Sequence, residues 1–219
     1  MPLLTSESIV LRTYPLREAD LIVNFFTRDQ GKLRGVARRA RRPKSGFGSS
    51  LERLTHSRIS YFQKETRELV NIGDSEILNS QFSLASDYAA GVALDYMAEL
   101  ADHLLPPHEV NERFFRLMLA MLAHLREHRG QGAWPVVFYF TLWAVRLAGF
   151  LPDMHLNEES ASLAREILAT PIGQLPPHPY SRTFAAQLRR GLLLAIENHV
   201  ERRLLTAPLI ETLDPQSVN

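Results

Sequence analysis

The spacing of apolar residues changes once along the chain. Up to about residue 80 it is β-like. SIVLRTY (8–14) alternates, DLIVNFFT (20–27) is a short apolar run, and KLRGVAR (32–38), RISYF (58–62) and ELVNI (68–72) follow, with Gly, Pro, Asn and Asp between them. Five short strands predict a small barrel. The turn RDQG joins the second and third strands into an antiparallel hairpin, with Gly31 supplying the positive φ that a tight loop needs.

From about residue 84 the period becomes 3.6. LASDYAAGVALDYMAELADHLL sets Val92, Tyr96, Leu100 and Leu104 on one stripe, and Pro106 and Pro107 stop it. HEVNERFFRLMLAMLAHLREHRG predicts a second helix, with Glu109 and Glu112 in its first turn, Arg126, His128 and Arg129 in its last, and Gly130 as its stop. WPVVFYFTLWAVRLAGF is apolar nearly all round and reads as the central helix. After it come NEESASLAREILA, the proline-rich connector TPIGQLPPHPYS, and a last helix with Phe184, Leu188, Leu192, Ile196 and Val200 four apart. The fold class expected is therefore α+β. A small β-barrel is expected over 1–80 and an all-helical domain over 81–219, with a Pro-rich connector near 170–180.

Charge divides along the same line. The chain has 25 basic and 24 acidic residues, yet residues 1–80 hold 14 and 9 and residues 81–219 hold 11 and 15. Within the first part, RDQGKLRGVARRARRPK (28–44) carries eight Lys or Arg against Asp29 alone. Concentrated like charge repels itself, and a polyanion cancels it; nucleic acid comes first, an anionic membrane second, and a solvated arm without a partner is the plain alternative. Leu33, Val36, Ala37 and Ala40 also fall at helical spacing, but Gly35 interrupts and eleven residues before Pro43 are marginal for a helix. As a strand, Leu33, Gly35 and Ala37 face one side and Lys32, Arg34, Val36 and Arg38 the other. Cations at alternate positions stand about 7 Å apart and follow a phosphate backbone. The expected track is Lys32, Arg34, Arg38, Arg39, Arg41, Arg42 and Lys44. Phe47, in the Gly-rich loop KSGFGSS, either stacks on a base or anchors the loop, whereas Phe25, Phe26, Tyr61 and Phe62 are read as core.

Catalytic signatures are weak. Cysteine is absent, which excludes disulfides and thiolate metal sites. His124 and His128 are four apart without a third ligand in the sequence nearby, and fit positive side chains at a helix end. Glu18 and Asp20 are close together, but such residues more often bound a turn than act as general acid and base. No phosphate-loop, zincin or nucleophile-elbow pattern occurs. The longest uncharged stretch, Gly130 to Val145, is sixteen residues, short of the roughly 20 that span a bilayer. The N-terminal stretch has no basic region followed by an apolar run, so a cytoplasmic protein is expected, nucleoid-associated if its polyanion is DNA.

Particular residues carry a family resemblance. Glu18 and Asp20 before the second strand, Thr27, Gly31 and Lys32 in the hairpin, GVARRARRPKS (35–45), Phe47, Leu51 and Glu52 resemble the N-terminal signature of the bacterial recombination mediators of the RecO family. ELADHLL from Glu99, Phe114 to Leu125, and FYFTLWAVRLAGFLP ending at Pro152 are similar to its helical landmarks. The resemblance implies an OB-fold barrel and no catalytic activity. It implies binding of single- and double-stranded DNA, annealing of complementary strands, and joining of RecR to help RecA displace single-strand-binding protein (SSB). It also implies contact with the acidic tail of SSB through the helical domain. An anionic tail needs cations, and between residues 81 and 164 these are Arg113, Arg116, Arg126, Arg129 and Arg146. Many members carry a four-cysteine zinc module after the GF.P segment; here Asn157 and Ser160 stand near the first cysteine pair, so no metal and no cofactor are expected. Two other classes stay open: an RNA-binding OB protein of translation or RNA processing, since phosphate contact is blind to the sugar, and a hydrolase using Glu18 and Asp20.

Overall fold

The computed structural model describes residues 3–63 and 68–213. Five strands, β1 (Leu3–Leu16), β2 (Asp20–Thr27), β3 (Gly31–Ala37), β4 (His56–Phe62) and β5 (Val70–Asn79), close a barrel in the order β1-β2-β3-β5-β4. Closure depends on β1, whose fourteen residues pair antiparallel with β4 through Leu3–Ile9 and with β2 through Ser8–Leu16. A bulge between Val10 and Arg12 bends β1 between these partners. The seam is the short parallel pairing of Gly35, Val36 and Ala37 with Val70, Asn71 and Ile72. Gly35 permits it, because a Cβ there would stand 2.8 Å from the side chains of Val70 and Ile72.

β2 and β3 form the expected antiparallel hairpin, with Thr27 opposite Gly31 through Leu21 opposite Ala37. In β3 the residues alternate as read: Gly31, Leu33, Gly35 and Ala37 are buried, while Lys32 and Val36 are half-buried and Arg34 is exposed. A helix would have mixed these sets. Val23, Phe25, Leu33, Ile59, Tyr61 and Ile72 fill the barrel, with Phe25 and Tyr61 meeting edge to face at 5.9 Å. Phe26 points the other way and packs on Phe114 and Phe115, its ring 6.1 and 5.6 Å from theirs.

The chain divides into two compact units, 1–82 with 105–115, and 83–104 with 116–219. The segment 105–115 thus belongs with the barrel. Pro107 bridges to Lys32, and the His108 N–H donates to the Lys32 carbonyl at 3.0 Å. Glu109 lies in this segment and not in a helix, which corrects its expected place in a first helical turn. The helix starts at Glu112 because the Asn111 side chain accepts the Phe114 N–H at 3.0 Å, an N-cap.

The helices are α1 (Tyr88–Leu104), α2 (Glu112–Glu127), α3 (Ala133–Leu147), α4 (Glu158–Ala169), α5 (Ala186–Val200) and α6 (Ala207–Ile210). α3 is buried on most of its surface and packs against α1, α4 and α5. It also bonds to α1 through Tyr96 Oη and Thr141 Oγ1 at 2.9 Å. The segment after α3 lies along α5: Phe150 stacks on His199 at 3.9 Å, Met154 fills the space Gly191 leaves, and the Asn157 N–H donates to Gln187 at 2.7 Å. Among the described residues no helix is long and apolar enough to cross a membrane.

Candidate nucleic-acid interface

The loop after β3 is built of consecutive tight turns. The Arg42 N–H donates to the Arg39 carbonyl at 3.1 Å, Ser45 to Arg42 at 2.9 Å, and Ser50 to Phe47 at 2.9 Å. Ala40 and Phe47 both pack against the barrel core, so they anchor the two ends of the stretch. Arg41, Arg42 and Lys44 between these anchors are left exposed.

The β1–β2 turn braces the same loop. Asp20 Oδ1 accepts the Arg39 N–H at 2.8 Å, the Ala19 carbonyl accepts the Arg41 N–H at 2.9 Å, and the Glu18 carbonyl accepts from the Arg41 guanidinium at 3.4 Å. Asp20 therefore holds a turn, and nothing in this geometry pairs it with Glu18 for acid–base chemistry. Arg39 and Lys44 adopt left-handed backbone, φ 57° and 95°. Side chains other than glycine pay a cost of about 1–2 kcal/mol for that conformation, which the surrounding bonds must offset.

Arg38, Arg39, Arg42 and Lys44 come together around a cleft of about 350 Å³, with Phe47 on its wall. The Phe47 ring thus both anchors the loop and borders the cations. Arg34 lies further along β3, its Nε donating to Asn24 on β2 at 3.2 Å. Lys32 is half-buried at the far end of the strand beside Pro107, about 20 Å from Arg38 at strand rise. Val36 interrupts the ladder between Arg34 and Arg38. Among the described residues, none of Arg38, Arg39, Arg42 and Lys44 is ion-paired, whereas Arg28 pairs with Glu7 at 2.6 Å and Arg58 with Glu76 at 2.7 Å. The charge pattern also passed over a residue. Arg17, in the β1–β2 turn and again left-handed at φ 56°, faces Arg38 and Arg39 across a neighbouring cleft. Glu18 and Asp20 beside it mask its charge in the sequence, and only a barrel's first turn lying by the third strand's end reveals it.

Of the five helical arginines, Arg113 lies in the first turn of α2, Arg116 in the next and Arg126 in the last, with Arg129 just beyond the helix. Arg146 ends α3 with its guanidinium over the Trp143 ring at 5.1 Å. His124 and His128 stack ring on ring at 4.0 Å. Burial first, then the neighbouring His128, pushes His124 down to about 4. Among the described residues no three His, Asp or Glu side chains are placed to hold a metal.

A closed five-stranded barrel of this order, carrying a basic hairpin and followed by helices, defines an OB-type barrel protein with a helical C-terminal unit. Sequence comparison identifies which kind. The model for Recombination protein O N terminal matches residues 1–81, and that for Recombination protein O C terminal matches 85–155. The chain is 38% identical over 243 residues to the DNA repair protein RecO of Koribacter versatilis, covering 95% of this chain and 98% of that one. It is 36% identical over 152 residues to the RecO of Bifidobacterium animalis, covering 68% and 62%. With the RecO of Thermodesulfovibrio yellowstonii it shares 33% over 149 residues, covering 68% and 58%. The chain belongs to the RecO family, and its role lies in DNA repair.

Proposed function

We propose that the chain is a non-catalytic recombination mediator that binds single- and double-stranded DNA through the barrel's basic face and anneals complementary strands. The observation that carries this reading is the set of four cations, Arg38, Arg39, Arg42 and Lys44, without ion-pair partners among the described residues and held around one cleft by a braced loop. Fixed cations that outnumber the carboxylates beside them displace the counterions condensed on nucleic acid when they meet its phosphates, which drives binding without reading sequence. With RecR, the protein helps load RecA onto SSB-coated single strands in the cytoplasm. The family's role in DNA repair favours DNA over RNA, so RNA should compete more weakly. A salt titration tests the reading: with about four phosphate contacts, log affinity for single-stranded DNA falls with log salt at a slope near −3. A slope near zero overturns it.

The acidic tail of SSB binds the helical unit in the same proposal. Arg129 supports this, because its neighbours His128 and Gly130 line an apolar cleft of about 520 Å³ with Trp134, Ile172 and Leu175. Reversing Arg113, Arg116, Arg126, Arg129 and Arg146 together should abolish binding of a tail peptide, and unchanged binding places the site elsewhere.

A further inference from the structure

Two clefts open on the basic face, and they share a wall. One, of about 350 Å³, has Arg38, Arg39, Arg42 and Lys44 with Phe47 and Asp74. The other, of about 710 Å³, has Arg17, Arg38 and Arg39 with Asp20, Glu68 and Asn71. We propose that this face takes two nucleic-acid strands at once, one in each cleft with Arg38 and Arg39 between them, so that its substrate is a fork in which two unpaired strands meet a duplex. The proposal rests on the DNA-binding reading above and names the substrate class of that same face.

The charges of the clefts are unequal. Among the described residues the smaller sets four cations against Asp74, a formal +3, and the larger sets three against Asp20 and Glu68, a formal +1. The smaller therefore holds a strand on its own. The larger holds one only when the strand is delivered at high local concentration, as the second arm of a fork is. In both clefts the exposed carboxylate, Asp74 within β5 or Glu68 just before it, comes from the opposite side of the barrel seam to the arginines. A strand then lies with its phosphates on the arginine side and its bases toward β5, where Asn71 and Asp74 offer polar groups.

The backbone supports a built site. Seven described residues other than glycine have positive φ, and three of them, Arg17, Arg39 and Lys44, are cations on these two clefts. Such strain persists where surrounding bonds impose it and gathers at functional sites. Here the bonds are those from Asp20 and Ala19 to the loop, which fix the β1–β2 turn that carries Arg17 relative to the loop that carries Arg42 and Lys44. A merely solvated arm requires no such bracing.

The test uses the full chain and three labelled DNAs: a fork with two non-complementary arms, a single strand of the same total length, and the blunt stem duplex. The fork should bind about tenfold more tightly than either of the others. Arg17→Asn removes the cation of the weaker cleft while keeping a residue that tolerates left-handed backbone. It should lower the ratio of fork to single-strand affinity about fivefold and make the fork's salt slope shallower by about 0.7. Arg17→Lys should keep the ratio, and Arg42→Ala with Lys44→Ala should weaken fork and single strand together. A parent ratio near one, a fork no tighter than its stem, or a ratio unmoved by Arg17→Asn overturns the two-strand proposal while leaving DNA binding intact. Failure of all three DNAs to bind at low salt overturns the DNA reading itself, and this proposal with it.

Discussion

Gly31 meets two requirements at once. Its φ of 73° is the left-handed turn the hairpin needs, and the Glu109 backbone lies so near that an added Cβ would overlap it. Gly31→Ala should therefore destabilise by about 2 kcal/mol or more, from backbone strain plus displacement of segment 105–115. Gly46→Ala is the control, since nothing lies within 4 Å of its Cβ position. Urea unfolding of both variants measures the difference. His124 makes a second prediction at this scale. Held down to about 4 in the folded state, it gains a proton near pH 6.5 when unfolded. Unfolding is then favoured by acid: the stability His124 contributes is complete above about pH 6.5 and lost as pH falls through 4, at most about 3 kcal/mol. His124→Phe, which keeps a ring against His128, should lose less stability than the parent between pH 7 and 4.5 in the same unfolding measurement.

Among the elements, α6 depends on one buried carboxylate. Glu99 on α1, 6% exposed, accepts the Leu205 N–H at 2.7 Å and the Thr206 N–H at 2.9 Å, and the Thr206 hydroxyl as well. Glu99→Ala leaves these donors unpaired and should cost about 2–3 kcal/mol, while Glu99→Gln keeps an acceptor and should cost less; thermal melting separates the two. Most helices were legible from their 3.6 period, and Leu188, Leu192 and Ile196 are fully buried as their spacing implied. α6 was not legible, because four residues carry no period and their anchor lies more than a hundred positions upstream. Glu109 misled for a related reason: it has the character of a first-turn acid, yet the cap is Asn111 and the barrel takes the residues before it.

At the scale of the whole molecule, charge is segregated in sequence and then sharpened by folding. The seventeen residues 28–44 contain eight cations, but the loop's turns bring four of them to one cleft and leave Lys32 at the other end of β3. Arg38→Ala with Arg42→Ala should make the single-strand salt slope shallower by roughly 1.4 and weaken every sequence alike. The fold should survive, since both side chains are exposed and such changes usually shift stability by less than about 0.5 kcal/mol. Melting measured beside the salt titration checks both points.

Sequence alone determined what depends on short-range periodicity and residue chemistry. The strands, most helices, the β2–β3 hairpin, the outward face of Arg34 and the clustering of cations in one segment all follow from alternation, turn residues and formal charge. Tertiary structure decided which distant segments meet. It joined β3 to β5 across a glycine seam, laid segment 105–115 on the hairpin, turned Phe47 into an anchor and brought Arg17 up to Arg38 and Arg39. Those contacts arise from barrel closure, which couples residues far apart in the chain, and no local pattern records which of them will be neighbours.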